Sequence, residues 1–182
     1  MKETILMKKN YGFTLMEVMV VIAIIGIMSA IAIPNYIAWL PKHRMGGAAR
    51  DIYSVMQYAR IRAVKENTHV VVDFTTGLGA AGIYDVFVDD GSGGGTANDN
   101  VQNGTEPTIR RGQMPNDVTM FQAQFGVNQW LRFDSRGRPN GAGGNVRISN
   151  AQANLFTEIN LRITGMPDIR ISPDGGANYP DT

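Results

Sequence analysis

Apolar residues follow one another almost without a break from Phe13 to Ile33, and Glu17 is the only strongly polar side chain among them. A helix of this length rises about 31 Å at ~1.5 Å per residue, close to the ~30 Å hydrocarbon thickness of a bilayer. The pattern therefore predicts a helix of membrane-spanning length. An ionised carboxylate at that depth costs about 3 kcal/mol. We therefore expect Glu17 to have a partner, unless it is a single acid tolerated near one end of the span.

A second helical pattern follows, now amphipathic rather than uniformly apolar. Apolar residues recur at steps of three and four and trace one stripe along the predicted helix. The stripe consists of Met45, Ala48, Ala49, Ile52, Val55, Met56, Ala59 and Ala63. Charged residues lie mostly off the stripe, so we expect it to pack against a sheet, and Asn67 marks the expected end of the helix.

Beyond residue 68 the apolar period falls to two. The pattern predicts strands at 70–74, 83–88, 118–122, 129–133, 146–149, 159–163 and 169–171. Gly, Pro and Asn are frequent between these segments, as in an antiparallel sheet or sandwich. A long helix followed only by strands predicts an α+β protein with one outer domain.

Basic residues flank the apolar segment on both sides. They are Lys2, Lys8 and Lys9 before it and Lys42 and Arg44 after it. The leading cluster lies in a short segment, which by the positive-inside rule favours a cytoplasmic N-terminus. The bulk of the chain, from about Pro41 onward, would then face outward.

Two cleavage sites can be read at this end of the chain. Residues 30–32, Ala-Ile-Ala, match the A-x-A pattern of a secretory signal peptide. The apolar core before them would carry Glu17 and exceed the usual length of about 7 to 15 residues, which counts against that interpretation. Cleavage after Gly12 instead leaves the apolar segment on the mature chain, and we expect that outcome.

The residues around Gly12 resemble the cleavage and methylation site of type IV prepilins and of type II secretion pseudopilins. A basic leader, the glycine, a phenylalanine, a glutamate at the fifth mature position and the apolar run occur in register within Lys8-Lys9-Asn10-Tyr11-Gly12-Phe13-Thr14-Leu15-Met16-Glu17. Segments 49–64, 69–72 and 133–139 resemble the GspH/FimT branch of minor pseudopilins. The resemblance implies a pilin-like fold.

The resemblance also implies how individual residues are used. A prepilin peptidase would cut between Gly12 and Phe13 and methylate the new amino group of Phe13. Glu17 would pair with the terminal amine of a neighbouring subunit in a filament, which agrees with the rule that a buried carboxylate must be neutralised or paired. Pro34 matches a proline common in the family's helix. Because proline removes a backbone hydrogen bond, we expect a bend there or, in the filament, a helix melted as far as Gly47.

The implied organisation has four parts. Residues 1–12 form a prepilin leader peptide, 13–40 a transmembrane and filament-core helix, 41–67 an amphipathic helix and 68–182 a periplasmic β-rich domain. A single span would hold the chain in the bacterial inner membrane, with its N-terminus cytoplasmic, before it passes into a filament. The expected partners are prepilin peptidase, other pseudopilins or pilins, the inner-membrane assembly platform and membrane lipid.

Three functions are compatible with these features. The first is a minor pseudopilin, a structural subunit of the type II secretion system pseudopilus that supports protein export across the outer membrane. The alternative is a minor type IV pilin, similar to FimT or FimU, for pilus assembly or DNA uptake, and only in that case would DNA be a partner. The third is a membrane-anchored binding module that never polymerises. The first two share leader and fold, so the sequence does not separate them.

The charge and composition of the chain bear on whether it binds nucleic acid, binds a metal or acts as an enzyme. The net charge of the chain is +1, and removing residues 1–12 takes away three lysines and one glutamate and leaves −1. From His69 onward, eight arginines and no lysine oppose twelve acidic residues, whereas a nucleic-acid receptor is more usually basic. The chain has no cysteine, and its two histidines, His43 and His69, have no acid or cysteine at ligand spacing. No nucleophile, base and orienting residue group together, so we predict no catalysis.

Two glycine-rich segments are interpreted as loops. Residues 77–82 satisfy G-x-G-x-x-G, but a strand rather than a helix follows, which predicts a hairpin loop instead of a dinucleotide site. Residues 89–105 are rich in Gly, Asn and Asp and predict a mobile surface loop. Asp89, Asp90 and Asp99 offer oxygen ligands of the kind that calcium prefers. Since the EF-hand spacing is absent, we predict no cofactor or metal, and calcium is the one ion that the loop could take.

A candidate interaction patch lies near the C-terminus. Pairing the last two predicted strands with their apolar sides matched leaves a five-residue loop over 164–168 and sets Arg162 opposite Arg170. Opposed like charges are unfavourable in a sheet unless something compensates them. Either Glu158 or Asp168 neutralises the arginines, or they form a docking point for a neighbouring subunit, a secreted substrate or DNA.

Overall fold

The computed structural model describes residues 12–77, 81–141 and 143–172. The basic leader, the middle of the 77–82 segment and the last ten residues lie outside those ranges. The chain divides into two compact units, Met1–Trp39 and Leu40–Thr182. The described elements are α1 (Leu15–Glu66), a short 3-10 helix (Ser92–Gly94), β1 (Val70–Thr75), β2 (Ile83–Val88), β3 (Thr108–Gln113), β4 (Thr119–Gln124), β5 (Trp130–Phe133), β6 (Gly143–Asn150), β7 (Leu155–Arg162) and β8 (Pro167–Ser172).

The strands form two four-stranded antiparallel sheets. The first has the order β3-β2-β1-β5 and the second the order β4-β6-β7-β8. In the first sheet β1 and β2 form a hairpin, with Val70 opposite Val88 and Thr75 opposite Ile83. The predicted α+β class, a long helix followed by antiparallel strands, is confirmed.

Helix α1 ends where the sequence predicts it. Asn67 adopts a φ of 51°, a left-handed conformation that asparagine reaches more easily than most residues. Its N–H donates to the Val64 carbonyl at 3.4 Å, and the Thr68 N–H donates to the Ala63 carbonyl at 3.2 Å. These bonds satisfy carbonyls of the last helical turn and lead the chain into β1.

The amphipathic half of α1 contributes one wall of the hydrophobic core. All eight residues of the predicted stripe, from Met45 to Ala63, are buried, which confirms the interpretation of that pattern. They pack with the inward-facing residues of both sheets in one cluster. Phe74 of β1 also stacks on Phe125, which follows β4, with ring centroids 5.7 Å apart. The two sheets and this part of the helix therefore share a single core.

Each of the seven predicted strands is found, with its ends moved by a few residues, but β3 was not predicted. Its sequence, Thr-Ile-Arg-Arg-Gly-Gln, lacks the apolar alternation that identifies a strand. β3 is the outermost strand of its sheet and pairs only with β2. An edge strand of this kind needs little apolar surface, and its arginines discourage pairing with another chain.

The predicted register of the last hairpin is wrong. β7 and β8 pair so that Ile159 faces Ile169 and Leu161 faces Pro167, and residues 163–166 form the turn. The Gly165 N–H donates to the Arg162 carbonyl at 2.8 Å, and Gly165 has a φ of 78°. Slipping one strand by an even number of residues keeps every side chain on its own face. Apolar alternation therefore did not distinguish the two registers, and the glycine turn decided between them.

Candidate functional site

The predicted cleavage site lies just before the first helical turn. α1 begins at Leu15, so the peptide bond between Gly12 and Phe13 is in non-helical chain. Thr14 caps the helix, because its Oγ1 accepts a hydrogen bond from the Glu17 N–H at 3.2 Å. Threonine followed three residues later by glutamate is the spacing of a capping box. The cap fixes the start of the helix and leaves Phe13, 84% exposed, outside it.

Glu17 lies on the same side of the helix as Phe13 and Val21. Residues four apart are neighbours on a helical surface, and these three, with Val18 and Ile22, line a shallow hollow of about 250 Å³. The carboxylate and the residue that would carry the mature amino group therefore occupy one face at one end of the helix. Pairing of Glu17 with a neighbouring subunit remains a prediction.

The N-terminal part of α1 is apolar and uncovered. Its most hydrophobic 18-residue window has a mean hydropathy of 2.6 and none of it is buried, so by length and composition the helix could cross a membrane. Tyr36 and Trp39 follow, both exposed, with ring centroids 6.3 Å apart. Aromatic residues in such positions are typical of the membrane–water interface. Apolar surface of this extent requires a bilayer or other helices to cover it.

The prolines do not end the helix. α1 is helical through Pro34, Pro41 and the pair of glycines at 46 and 47. Each proline lacks the N–H that would bond to the preceding turn. The Asn35 side chain donates to the Ile31 carbonyl at 3.1 Å in this stretch. Local melting around Pro34 was predicted for the assembled filament and stays a prediction.

An aspartate on α1 ties the helix to the first sheet. The Asp51 carboxylate accepts a hydrogen bond from the Tyr84 hydroxyl of β2 at 2.6 Å, and its other oxygen lies 2.6 Å from the Arg110 guanidinium of β3. Burial, followed by the bond to Asp51, raises the pKa of Tyr84 to about 12, so the phenol stays a neutral donor. Gly112 lies directly opposite Tyr84 and makes room for its ring. Sequence reasoning missed this group, whose only signal was a glycine within a charged segment.

Two aspartates face each other on the first sheet. Asp73 of β1 is opposite Asp85 of β2, and Asp85 also pairs with Arg111 of β3. Trp130, the neighbour of Asp73 on β5, lines the same hollow of about 340 Å³. Burial and then the charge of Asp85 raise the pKa of Asp73 above its ordinary value. Compared with the unfolded chain, the folded protein therefore disfavours the ionised form of Asp73, so the charge on Asp73 opposes folding.

We expect Asp73→Asn to raise the thermal midpoint at pH 7. When the pKa of a carboxyl group is higher in the folded than in the unfolded state, the free energy of unfolding falls as the pH rises. The fall begins near the pKa of the unfolded chain and is complete above the pKa of the folded protein. The gain from the substitution should therefore shrink as the pH is lowered towards about 3. Melting curves of the full chain in detergent, followed by circular dichroism at both pH values, check this.

A matched control for that substitution is Asp90→Asn. Bonds from the Ser92 side chain and backbone N–H lower the pKa of Asp90, so its ionised form supports folding. Asp90→Asn should therefore lower the midpoint at pH 7, by a smaller amount since the group is exposed. Equal shifts of the same sign in the two variants would contradict the assignment for Asp73.

The arginines of the predicted patch are not opposed. Arg170 lies opposite Glu158, which is only 4% exposed and accepts a bond from the Arg147 Nε at 2.7 Å. Arg162 and Arg170 both approach Asp168, at 3.8 Å and 3.5 Å. Asp168 supplies the expected compensation for both arginines, whereas Glu158 forms its ion pair with Arg147. Whether the arginines also contact a partner stays a prediction.

The loop at 89–105 is organised around buried carboxylates. The two oxygens of Asp89, 1% exposed, accept the N–H groups of Asn98 and Asn100. Glu106, also buried, accepts the N–H groups of Gly91 and Asn103, each at 2.9 Å. These oxygens are directed at backbone donors. Within residues 12–77, 81–141 and 143–172, no group of three or more His, Cys, Asp or Glu side chains could hold a metal ion.

A capped, uncovered apolar helix whose second half packs on two antiparallel sheets defines a pilin-type subunit. A family model described as "Type II transport protein GspH" matches residues 48–175, more than half of the chain, and one described as "Prokaryotic N-terminal methylation motif" matches residues 7–33. The chain belongs to the GspH family. The resemblance drawn from the sequence is thus confirmed.

Individual relatives are pilins. A "Fimbrial protein" of Pseudomonas aeruginosa is 39% identical over 69 residues, 38% of this chain and 44% of that protein. The "Type IV major pilin protein PilA" of Myxococcus xanthus is 48% identical over 44 residues, 24% of this chain and 20% of that protein. The chain thus spans less than half the length of these relatives.

A solved structure has the same fold. The crystal structure of the type IV minor pilin FimU from Pseudomonas aeruginosa aligns with a TM-score of 0.50 and 14% identity, covering 78% of this chain and 96% of that one. At that identity the likeness concerns the fold alone. Family and fold are those of structural subunits, which are processed at the N-terminal motif and assemble with other pilins or pseudopilins.

Proposed function

We propose that the chain is a minor pseudopilin of a type II secretion system. The observation that carries this proposal is the match of residues 48–175 to the family described as a type II transport protein. The matched range covers most of the amphipathic half of α1 and nearly all of the β-rich part of the chain. In this role the protein supports export across the outer membrane as a structural subunit and performs no catalysis.

The N-terminal segment would anchor the subunit and later join it to others. The apolar part of α1 holds the precursor in the inner membrane with its N-terminus in the cytoplasm, where prepilin peptidase cuts the exposed bond between Gly12 and Phe13. On extraction, apolar surface that lipid had covered must be covered by neighbouring helices. The neighbouring helices would be those of the other pseudopilins, which the inner-membrane assembly platform brings together.

Glu17 would set the position of each subunit in the filament. A carboxylate among packed apolar side chains is tolerated only when it is paired. The terminal amine of Phe13 on an adjacent subunit is a suitable partner, because it lies at the same end of its own helix. A polar pair in an apolar bundle fixes the axial register more than it stabilises the subunit, as buried polar residues do in coiled coils.

A minor type IV pilin is the second candidate. The observation that favours it is that the curated relatives matched by the chain are pilins, although over less than half of their length. In that role the same helix would enter a pilus, and DNA could be a partner of the unit Leu40–Thr182. The third possibility, a membrane-anchored module that never polymerises, leaves the N-terminal processing motif without a use.

Deletion of the gene tests the proposal. We expect loss of secretion of a type II substrate into the medium, with twitching motility and DNA uptake retained, because the subunit would serve only the secretion filament. Returning the unaltered gene should restore secretion. Loss of twitching or DNA uptake with normal secretion would contradict the proposal and support the pilus role, and no change in either would support the module that does not polymerise.

A further inference from the structure

A groove runs between the amphipathic half of α1 and the outer strands of the second sheet. Its volume is about 360 Å³. Met45 and Ala49 form its helical side and are almost fully buried, whereas Ile169 and Ile171 line the side formed by β8. β8 is the last strand of its sheet, and Ile171 is 62% exposed. Among the described residues, the groove is therefore an apolar trough along the outermost strand of the second sheet.

The charges around this trough are of one sign. Lys42 and Arg50 are the charged side chains among the described residues that line it. Neither forms an ion pair with another described residue. Among the described residues, no ion pair would have to break before either cation meets an external anion.

Gly46 leaves room beside one of the two cations that line the groove. Helical side chains point towards the N-terminus of their helix, and the Arg50 guanidinium accordingly lies over Gly46, its Nη2 3.9 Å from where a Cβ would stand. Lys42 is one turn before Gly46 on the same face. Gly46 thus leaves a gap beside the Arg50 guanidinium, next to the apolar trough.

We propose that this groove binds an anionic phospholipid of the bilayer that holds the unassembled subunit. An amphiphile with a phosphate head suits two cations beside an apolar trough. The bilayer is its source because Lys42 follows Trp39 by three residues, and Tyr36 and Trp39 are the aromatic residues expected at the membrane surface. The inference rests on the membrane-held stage of the proposed function. Bound lipid would have to leave the groove when the subunit is extracted.

The experiment uses the full chain in a mild detergent. Phosphatidylglycerol and phosphatidylcholine with the same acyl chains are titrated into it, and retained lipid is measured by native mass spectrometry. We expect phosphatidylglycerol to bind at least tenfold more tightly. One cation near an anionic membrane surface contributes roughly fivefold to binding. Replacing Lys42 and Arg50 together by glutamine should therefore weaken the affinity for phosphatidylglycerol by about 25-fold. Equal retention of the two lipids would overturn the proposal.

Paired controls separate the groove from general contact with lipid. Gly46→Leu should fill the gap and reduce phosphatidylglycerol retention, whereas Gly47→Leu, whose Cβ would meet nothing within 4 Å, should leave it unchanged. Both substitutions raise helix propensity similarly, so folding is matched. Lys65→Gln with Arg136→Gln removes the same charge away from the groove and should change little. Equal effects of the two glycine variants, or of the two charge variants, would contradict the groove as the site.

The same titration separates other outcomes. Retention of neither lipid would overturn the lipid proposal, and direct retention of an acidic apolar peptide in the same measurement would then assign the groove to a protein partner. Because the measurement uses purified chain, its result does not depend on whether the subunit serves secretion or a pilus. If the chain does not prefer phosphatidylglycerol, the lipid proposal is wrong, but the deletion experiment still tests the proposed function separately.

Discussion

Replacing Glu17 with glutamine is expected to leave the subunit folded, membrane-bound and processed, but unable to enter a filament. Glutamine keeps the length of the side chain and can still serve at the third helical position of a capping box, so the Thr14 cap should survive. What is lost is the negative charge. The amine of the neighbouring Phe13 would then be buried without a counter-charge.

The size of the effect follows from the cost of an unpaired buried charge. Removing one partner of a buried ion pair costs about 3–5 kcal/mol, which corresponds to roughly two to four decades in an equilibrium constant. We therefore expect incorporation of Glu17→Gln into sheared filaments to fall below detection in immunoblots. Mass analysis of the membrane-bound protein should still find the chain beginning at methylated Phe13.

A matched variant distinguishes loss of the charge from loss of the helix start. Thr14→Ala removes the cap and costs about 1 kcal/mol of helix stability, but keeps Glu17. Filament incorporation of Thr14→Ala should be close to that of the unaltered chain. If Glu17→Gln, or the more severe Glu17→Ala, assembles and functions normally, the carboxylate has no partner and the non-polymerising module becomes the better interpretation.

Gly112→Ala is expected to destabilise the unit Leu40–Thr182 strongly, although it adds only one methyl group. A Cβ at this position would lie 2.2 Å from the Cζ and Oη of Tyr84. Tyr84 is buried and its hydroxyl is held by Asp51, so the ring cannot swing away without breaking that bond. Overpacking of this kind costs about 3 kcal/mol, which should lower the thermal midpoint by about 10 °C.

Two controls accompany that measurement. Gly47→Ala adds the same methyl group on α1 where nothing lies within 4 Å, and should be neutral or stabilising by up to about 1 kcal/mol. In a Tyr84→Leu background the added cost of Gly112→Ala should be much smaller, because the ring that it meets is gone. An equal cost in both backgrounds would show that contact with Tyr84 is not the cause.

The arginine patch illustrates a limit of reading strands from alternation. Arg162 and Arg170 lie on the outward face that the alternation predicts, but the pairing of β7 with β8 sets Arg170 opposite Glu158. Registers that differ by an even number of residues bury the same side chains. The hydrogen-bonded turn at Gly165 chooses among them, and nothing in the apolar pattern reports on it.

The sequence by itself determined those properties that depend on neighbours along the chain. Periodicity identified the stripe from Met45 to Ala63 and seven of the strands. The register of Gly12, Phe13 and Glu17 with the apolar run identified the N-terminal methylation motif. Asn67 marked the end of the helix. Each is a local signal, because helical and extended periods repeat within a few residues.

Only the tertiary structure decided what depends on residues distant in sequence. It brought Asp51 to Tyr84 and directed the carboxylates of Asp89 and Glu106 at backbone N–H groups. It also put Lys42 and Arg50 beside β8. These arrangements follow from the order and register of the strands. Both are set by contacts between residues that lie far apart in the sequence. The pattern of any one segment does not contain them.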